Sequence, residues 1–144
     1  VLKGRFRTAS VAPYIDAIVS IPRFGLRGPV RFLIDSGADG SVLMPTDAKQ
    51  LGIDHGALGK AVTSTGIGGF AHGFEEVGVL SFSDDDFVYS WLIQDLEIAR
   101  PMRGNLRFPS LLGRDVLGQW RLVLDRPRDK ITGTPRTWDR KQKI

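Results

Sequence analysis

The chain has 144 residues, 42% apolar and 25% charged, which suits one soluble globular domain with a real core and leaves little room for two. It contains no cysteine, which excludes disulfides and thiolate metal sites, and no run of about eighteen apolar residues that could cross a membrane as a helix. The net charge of +4 is uneven: residues 126–144 carry seven Lys/Arg against Asp129 and Asp139, a balance of +5, and the rest of the chain stands at −1. Such a basic end can attract nucleic acid or anionic lipid, although a solvated terminus that aids solubility is the simpler reading. The opening Val1-Leu2-Lys3-Gly4-Arg5 has no apolar stretch behind it, so it does not read as a signal peptide. With no initiator Met, the sequence reads as a processed form or a domain excised from something longer.

In chain order, glycines and prolines punctuate short apolar runs, the pattern of many short strands. Tyr14 to Ile21 is apolar and β-branched and stops at Pro22. Val30 to Ile34 is a second strand, behind a turn signal at Arg27-Gly28-Pro29. Ser41 to Met44 is a third, closed by Pro45, and Thr46 to Leu51 reads as a short capped helix ending at Gly52. Residues 61–82 hold a glycine-rich centre between β-type flanks, with Val77, Val79 and Phe82 on a return strand. Asp84-Asp85-Asp86 is a turn, and Phe87 to Ile98 is a long strand. Ser110-Leu111-Leu112 is short and buried, Gly113 to Gln119 is a brief helix, and Trp120 to Asp125 alternates before turning at Arg126-Pro127. The sum is all-β with one or two short helices.

Three motifs carry chemistry. In Phe32-Leu33-Ile34-Asp35-Ser36-Gly37-Ala38-Asp39, an apolar strand leads to a carboxylate, then to a small hydroxyl and a glycine. The glycine lets backbone N–H groups turn toward the carboxylate. Taken alone, the triplet is a weak signal that reads first as an Asx turn at a strand end. Gly66-Ile67-Gly68-Gly69-Phe70 forms a thin hairpin tip able to lie over an extended ligand. With Ala71 it also matches a loose dinucleotide fingerprint, but that fingerprint needs a helix next, and His72 to Val79 is strand-like. A plain flexible hairpin is the simplest reading of this motif by itself. In Leu111-Leu112-Gly113-Arg114-Asp115, buried leucines run into a helix whose Arg114 can pair with a carboxylate elsewhere; an ordinary strand-to-helix junction is the alternative.

Together and in this order, the three motifs resemble the retropepsins, the retroviral-type aspartic proteases, over about residues 14–125. The resemblance implies a single-domain, closed β-barrel with a flap hairpin, working as a two-fold homodimer on polypeptide substrates. It assigns Asp35 as the catalytic aspartate, with Ser36 and Gly37 completing its triad. Ala38 and Asp39 would line the substrate groove, and Gly66, Ile67, Gly68 and Gly69 would form the flap. Arg114 would be structural, tying its helix to the neighbourhood of Asp39. Residues 1–125 would be the protease domain and 126–144 a basic C-terminal extension. Gly40 stands where many retroviral members have a second acid, and Ser36 where most have threonine. Retroviral dimers are sealed by interleaved chain ends; the longer end here implies a differently built interface.

Aspartic proteases need two carboxylates about 3 Å apart sharing one proton. This chain has one Asp-Ser/Thr-Gly, and Leu124-Asp125-Arg126 lacks the small residue and the glycine. A homodimer supplies the second aspartate by symmetry. No cofactor or metal is expected: His55 and His72 are the only histidines, they lack metalloenzyme spacing, and both read as surface residues. Trp91 and Trp120 read as core, with Trp138 open. The alternative function is a non-catalytic peptide- or protein-binding module on the same scaffold; a nucleic-acid or membrane module acting through the basic end is a third.

Overall fold

The computed structural model describes residues 1–66 and 69–144. The apolar runs become strands: β1 (Leu2–Phe6), β2 (Pro13–Ile21), β3 (Leu26–Ile34), β4 (Val42–Leu43), β5 (Lys60–Gly66), β6 (Gly69–Ser83), β7 (Phe87–Ala99), β8 (Ser110–Leu112), β9 (Trp120–Asp125), β10 (Lys130–Pro135) and β11 (Arg140–Lys143). Among the described residues, α1 (Pro45–Leu51) and α2 (Arg114–Leu117) are the α-helices. One sheet runs β5-β6-β7-β4-β8-β3-β2-β1-β10-β9, and β2 pairs with β6 as well. That second pairing closes β6-β7-β4-β8-β3-β2 into a barrel, the all-β architecture that the sequence implies.

Period-2 alternation fills the barrel. On β2, Ile15, Ala17, Val19 and Ile21 are buried, and on β3, Val30, Phe32 and Ile34 are. β7 contributes Tyr89, Trp91 and Ile93, then shifts phase to Leu96 and Ile98. The shift is a β-bulge: Gly78 pairs with Ile93 but Glu76 with Leu96, so β7 holds one extra residue, and Gln94 and Asp95 both face solvent. Phe82 stands edge-on to two indoles, with ring centroids 5.9 Å from Trp91 and 5.0 Å from Trp120. Trp91 and Trp120 are thus core residues.

Three local expectations are corrected. Arg27-Gly28-Pro29 is not a turn; it lies inside β3, opposite Ser20, Val19 and Ile18. The reversal comes earlier, in a 3₁₀ turn at Pro22–Phe24 closed by Gly25 at φ 63°. Pro29 is tolerated there because β8 joins β3 only from Phe32 onward, so no second ladder needs its missing N–H. Helix α1 does end at Gly52, which caps it at φ 90°, but it has no side-chain N-cap: Pro45 starts it, and the Thr46 hydroxyl donates to the Leu106 carbonyl instead, at 2.6 Å. His55 is half-buried, its Nε2 3.2 Å from the Ala99 carbonyl, while His72 is exposed.

The basic residues 126–144 are strand-paired rather than loose. β10 pairs with β9 and with β1, and β11 pairs with β7 from Arg140 opposite Ser90 to Lys143 opposite Phe87. Trp138 packs edge-on to Tyr89 at 5.3 Å, and the Lys141 ammonium lies 4.0 Å above the Phe87 ring.

Phe82 is 1% exposed and joins both indoles, so Phe82→Ala should cost about 3–5 kcal/mol. Urea unfolding would register this as a lower midpoint with little change in slope. An unchanged midpoint would mean that the aromatic cluster does not carry the core.

Candidate active site

β3 presents Asp35. Because Phe32 and Ile34 point into the barrel, Arg31, Leu33 and Asp35 alternate onto the opposite face. The Asp35 N–H donates to the Leu112 carbonyl at 3.0 Å, which locks the end of β3 to β8. Its carboxylate accepts the Gly37 N–H at 3.0 Å, and its carbonyl accepts the Ala38 N–H at 3.2 Å. The chain therefore folds back on the aspartate in an Asx turn, with the carboxylate half-buried and Ser36 and Gly37 exposed beside it.

Strand order dictates the path of the chain beyond this turn. β8 runs parallel to β3 and antiparallel to β4, so it lies between two strands consecutive in sequence. Residues 35–41 must pass over the end of β8, where Gly113 begins the turn into α2. The passage is tight: a Cβ on Gly113 would lie 2.5 Å from the carbonyl carbon and oxygen of Gly40. Across this contact the Arg114 N–H donates to the Ala38 carbonyl at 2.9 Å, and the Asp115 N–H to the Asp39 carbonyl at 3.2 Å.

Side chains reinforce the crossing unequally. Arg114 donates to the Ser36 carbonyl at 2.7 Å and pairs with the Asp39 carboxylate. Asp39 is 95% exposed, so water competes and that ion pair adds little, about 0–1 kcal/mol. Ser41 is 1% exposed. Its hydroxyl donates to Asp115 at 2.7 Å and accepts the Gly113 N–H at 3.0 Å, while its own N–H donates to the other Asp115 oxygen at 2.8 Å. A buried, fully used hydroxyl bonded to a half-buried carboxylate holds the loop more firmly than an exposed guanidinium does.

Ser41 and the ligating role of Asp115 are not among the sequence-derived site residues. Their only signal is a small polar residue six places after Asp35 and an acid beside Arg114, and 74 residues separate them. Gly66 and Gly69 end β5 and begin β6, and their backbones pair. No side chain from Lys60 to Thr65 is buried, so this arm of the hairpin contributes nothing to the core. Ile67 and Gly68 lie outside the described residues.

A family model described as "Aspartyl protease" matches residues 24–116. Among solved structures, a retropepsin-like aspartic protease from Rickettsia conorii aligns over 98% of this chain and 92% of its own. The identity is 19% and the TM-score 0.53, a likeness of fold. No curated protein matches the chain.

Ser41→Ala removes a buried donor–acceptor and leaves the Gly113 N–H unpaired, which should cost about 1–3 kcal/mol. A matching fall in the urea midpoint would support the buried pair as the anchor of the loop. A larger fall on Arg114→Ala than on Ser41→Ala would reverse the ranking.

Proposed function

From a chain that belongs to the aspartyl protease family and has a retropepsin-like fold, we infer an aspartic endopeptidase whose active unit is a two-fold homodimer, with Asp35 of each copy forming the catalytic pair. The observation that carries this reading is the half-buried Asp35 at the end of β3, whose carboxylate accepts the Gly37 N–H in a loop pinned by α2. The other candidate within the chain, Asp125, is committed to its own turn, where it accepts the Arg128 N–H at 3.3 Å. One copy thus supplies half of the chemistry, and a symmetric partner supplies the rest.

In the dimer, two carboxylates at about 3 Å cannot both ionise readily, so they hold one proton between them. The ionised member takes a proton from a water lodged between them, and that water attacks the scissile carbonyl. The protonated member donates to the carbonyl oxygen as negative charge grows there. Collapse of the tetrahedral species breaks the C–N bond, and a carboxyl proton goes to the leaving amine. Water and carboxylates suffice, so the reaction asks for no metal or cofactor.

The remaining sequence-derived residues take supporting roles. Ser36 and Gly37 shape the turn that aims Asp35. Ala38 and Asp39 form the floor for an extended substrate, and the hairpin with Gly66, Ile67, Gly68 and Gly69 closes over it, so that main-chain hydrogen bonds supply affinity. Arg114 keeps the floor against α2. Strands β1 and β11 are paired within the subunit, β1 between β2 and β10, and β11 on β7, which supports an interface that does not draw on these two strands.

Asp35→Asn should lower cleavage of an unstructured peptide mixture by at least ~100-fold across about pH 3 to pH 8, with unfolding unchanged. Mass spectrometry of the products gives the answer, and equal cleavage by both proteins would exclude Asp35 as catalyst. Clean peptide binding without turnover would favour the binding module instead. Specific activity should also rise with protein concentration until the dimer saturates; a constant value down to dilutions where sedimentation shows only monomer would refute the shared site.

A further inference from the structure

On the face that carries Asp35, an open groove of about 770 Å³ lies between the β1–β2 corner and the segment leading into β8. Arg31 lines it; it lies on β3 four residues before Asp35, which continues the strand's alternation just past its end and falls on the same side. At about 3.3 Å per strand residue, that is ~13 Å from the carboxylate, or some four residues of an extended peptide.

Four arginines give the groove its charge: Arg5, Arg7, Arg31 and Arg107. Arg5 and Arg31 share Asp16, at 2.9 and 2.8 Å. Among the described residues, Arg7 and Arg107 make no ion pair. The carboxylate in the wall, Asp47, accepts the Ser110 hydroxyl at 2.6 Å. Beside the free guanidinium groups stand Leu106 and Phe108, 51% and 57% exposed. Solubility alone would not call for large apolar side chains in a concave site next to arginines that lack partners. A carboxylate offers those arginines two acceptors each, and an apolar neighbour would cover the exposed shelf.

We propose that this groove selects the substrate: it receives an Asp or Glu side chain of the polypeptide about four residues from the bond cut at Asp35, with an adjacent apolar side chain resting on Leu106 and Phe108. The proposal rests on the endopeptidase reading for its register, and on the groove alone for its chemistry. Acidic flanks would raise kcat/KM mainly through KM, since the contact lies away from the reacting atoms and is made equally in the ground and transition states.

Arg7→Gln combined with Arg107→Gln tests this without breaking any described ion pair. Wild type should cut a degenerate peptide mixture with Asp and Glu enriched three to five residues from the cut, by about three- to tenfold. The double substitution should erase the enrichment while leaving the rate on glutamine-matched peptides within twofold or so. A second measurement needs no catalysis: fluorescence anisotropy of a labelled peptide with glutamates flanking an apolar centre, against its glutamine twin, on the Asp35→Asn protein. Tighter binding of the glutamate peptide, lost in the double variant and weakened by salt, supports the groove even if wild type cuts nothing, a result that would sink only the endopeptidase reading. Equal binding of the two peptides overturns the proposal, as does cleavage without acidic preference. Binding to phosphatidylserine vesicles through Arg7 and Arg107, with no peptide preference, would overturn it in favour of a membrane contact.

Discussion

β8 separates β3 from β4, and the segment that joins those two strands has to pass over the point where β8 ends at Gly113. That crossing fixes where Asp35 stands. Any side chain on Gly113 would strike the Gly40 backbone, so the approach is set by two chains of backbone atoms in contact. Once the contact exists, the N–H groups that begin α2 fall against the carbonyls of Ala38 and Asp39 without further arrangement. Strand order, loop path and carboxylate position are therefore one geometric fact.

The reactive pair proposed above, formed from two copies across a symmetry axis, would tolerate little slack in either half. Placement within about 0.5 Å calls for a support that water cannot loosen. The Ser41–Asp115 pair meets that demand because it is sheltered, and the Arg114–Asp39 pair does not, because Asp39 is open to solvent. The ion pair draws the eye in the sequence, while the buried hydroxyl carries more of the anchoring.

Legibility in the sequence depends on what each segment faces. β2 and β7 are legible because one face is buried and the apolar period shows. The chain reversal before β3 is easily misplaced because Gly28 and Pro29 look like a turn, whereas their real setting is a stretch of strand paired with β2 on one side and not with β8 on the other, a tertiary property. β10 and β11 are hidden because β10 carries a single large apolar residue, Ile131, among Lys130, threonines, Gly133 and Pro135, and because all four residues of β11 are polar and exposed. The Asp-Ser-Gly loop is legible as chemistry because its residues are local. The Ser41–Asp115 contact is not, because only the fold brings the two together.

β11 changes what the basic end means. Without it, the edge of β7 from Phe87 to Ser90 would offer free N–H and carbonyl groups alongside Phe87 and Tyr89, a template for indiscriminate strand addition. With it, the outermost strand of that side reads Arg-Lys-Gln-Lys. Two such strands brought edge to edge would set like charges against each other. The cationic end thereby serves as a guard against self-aggregation: it occupies an adhesive edge and replaces it with one that repels its own copies.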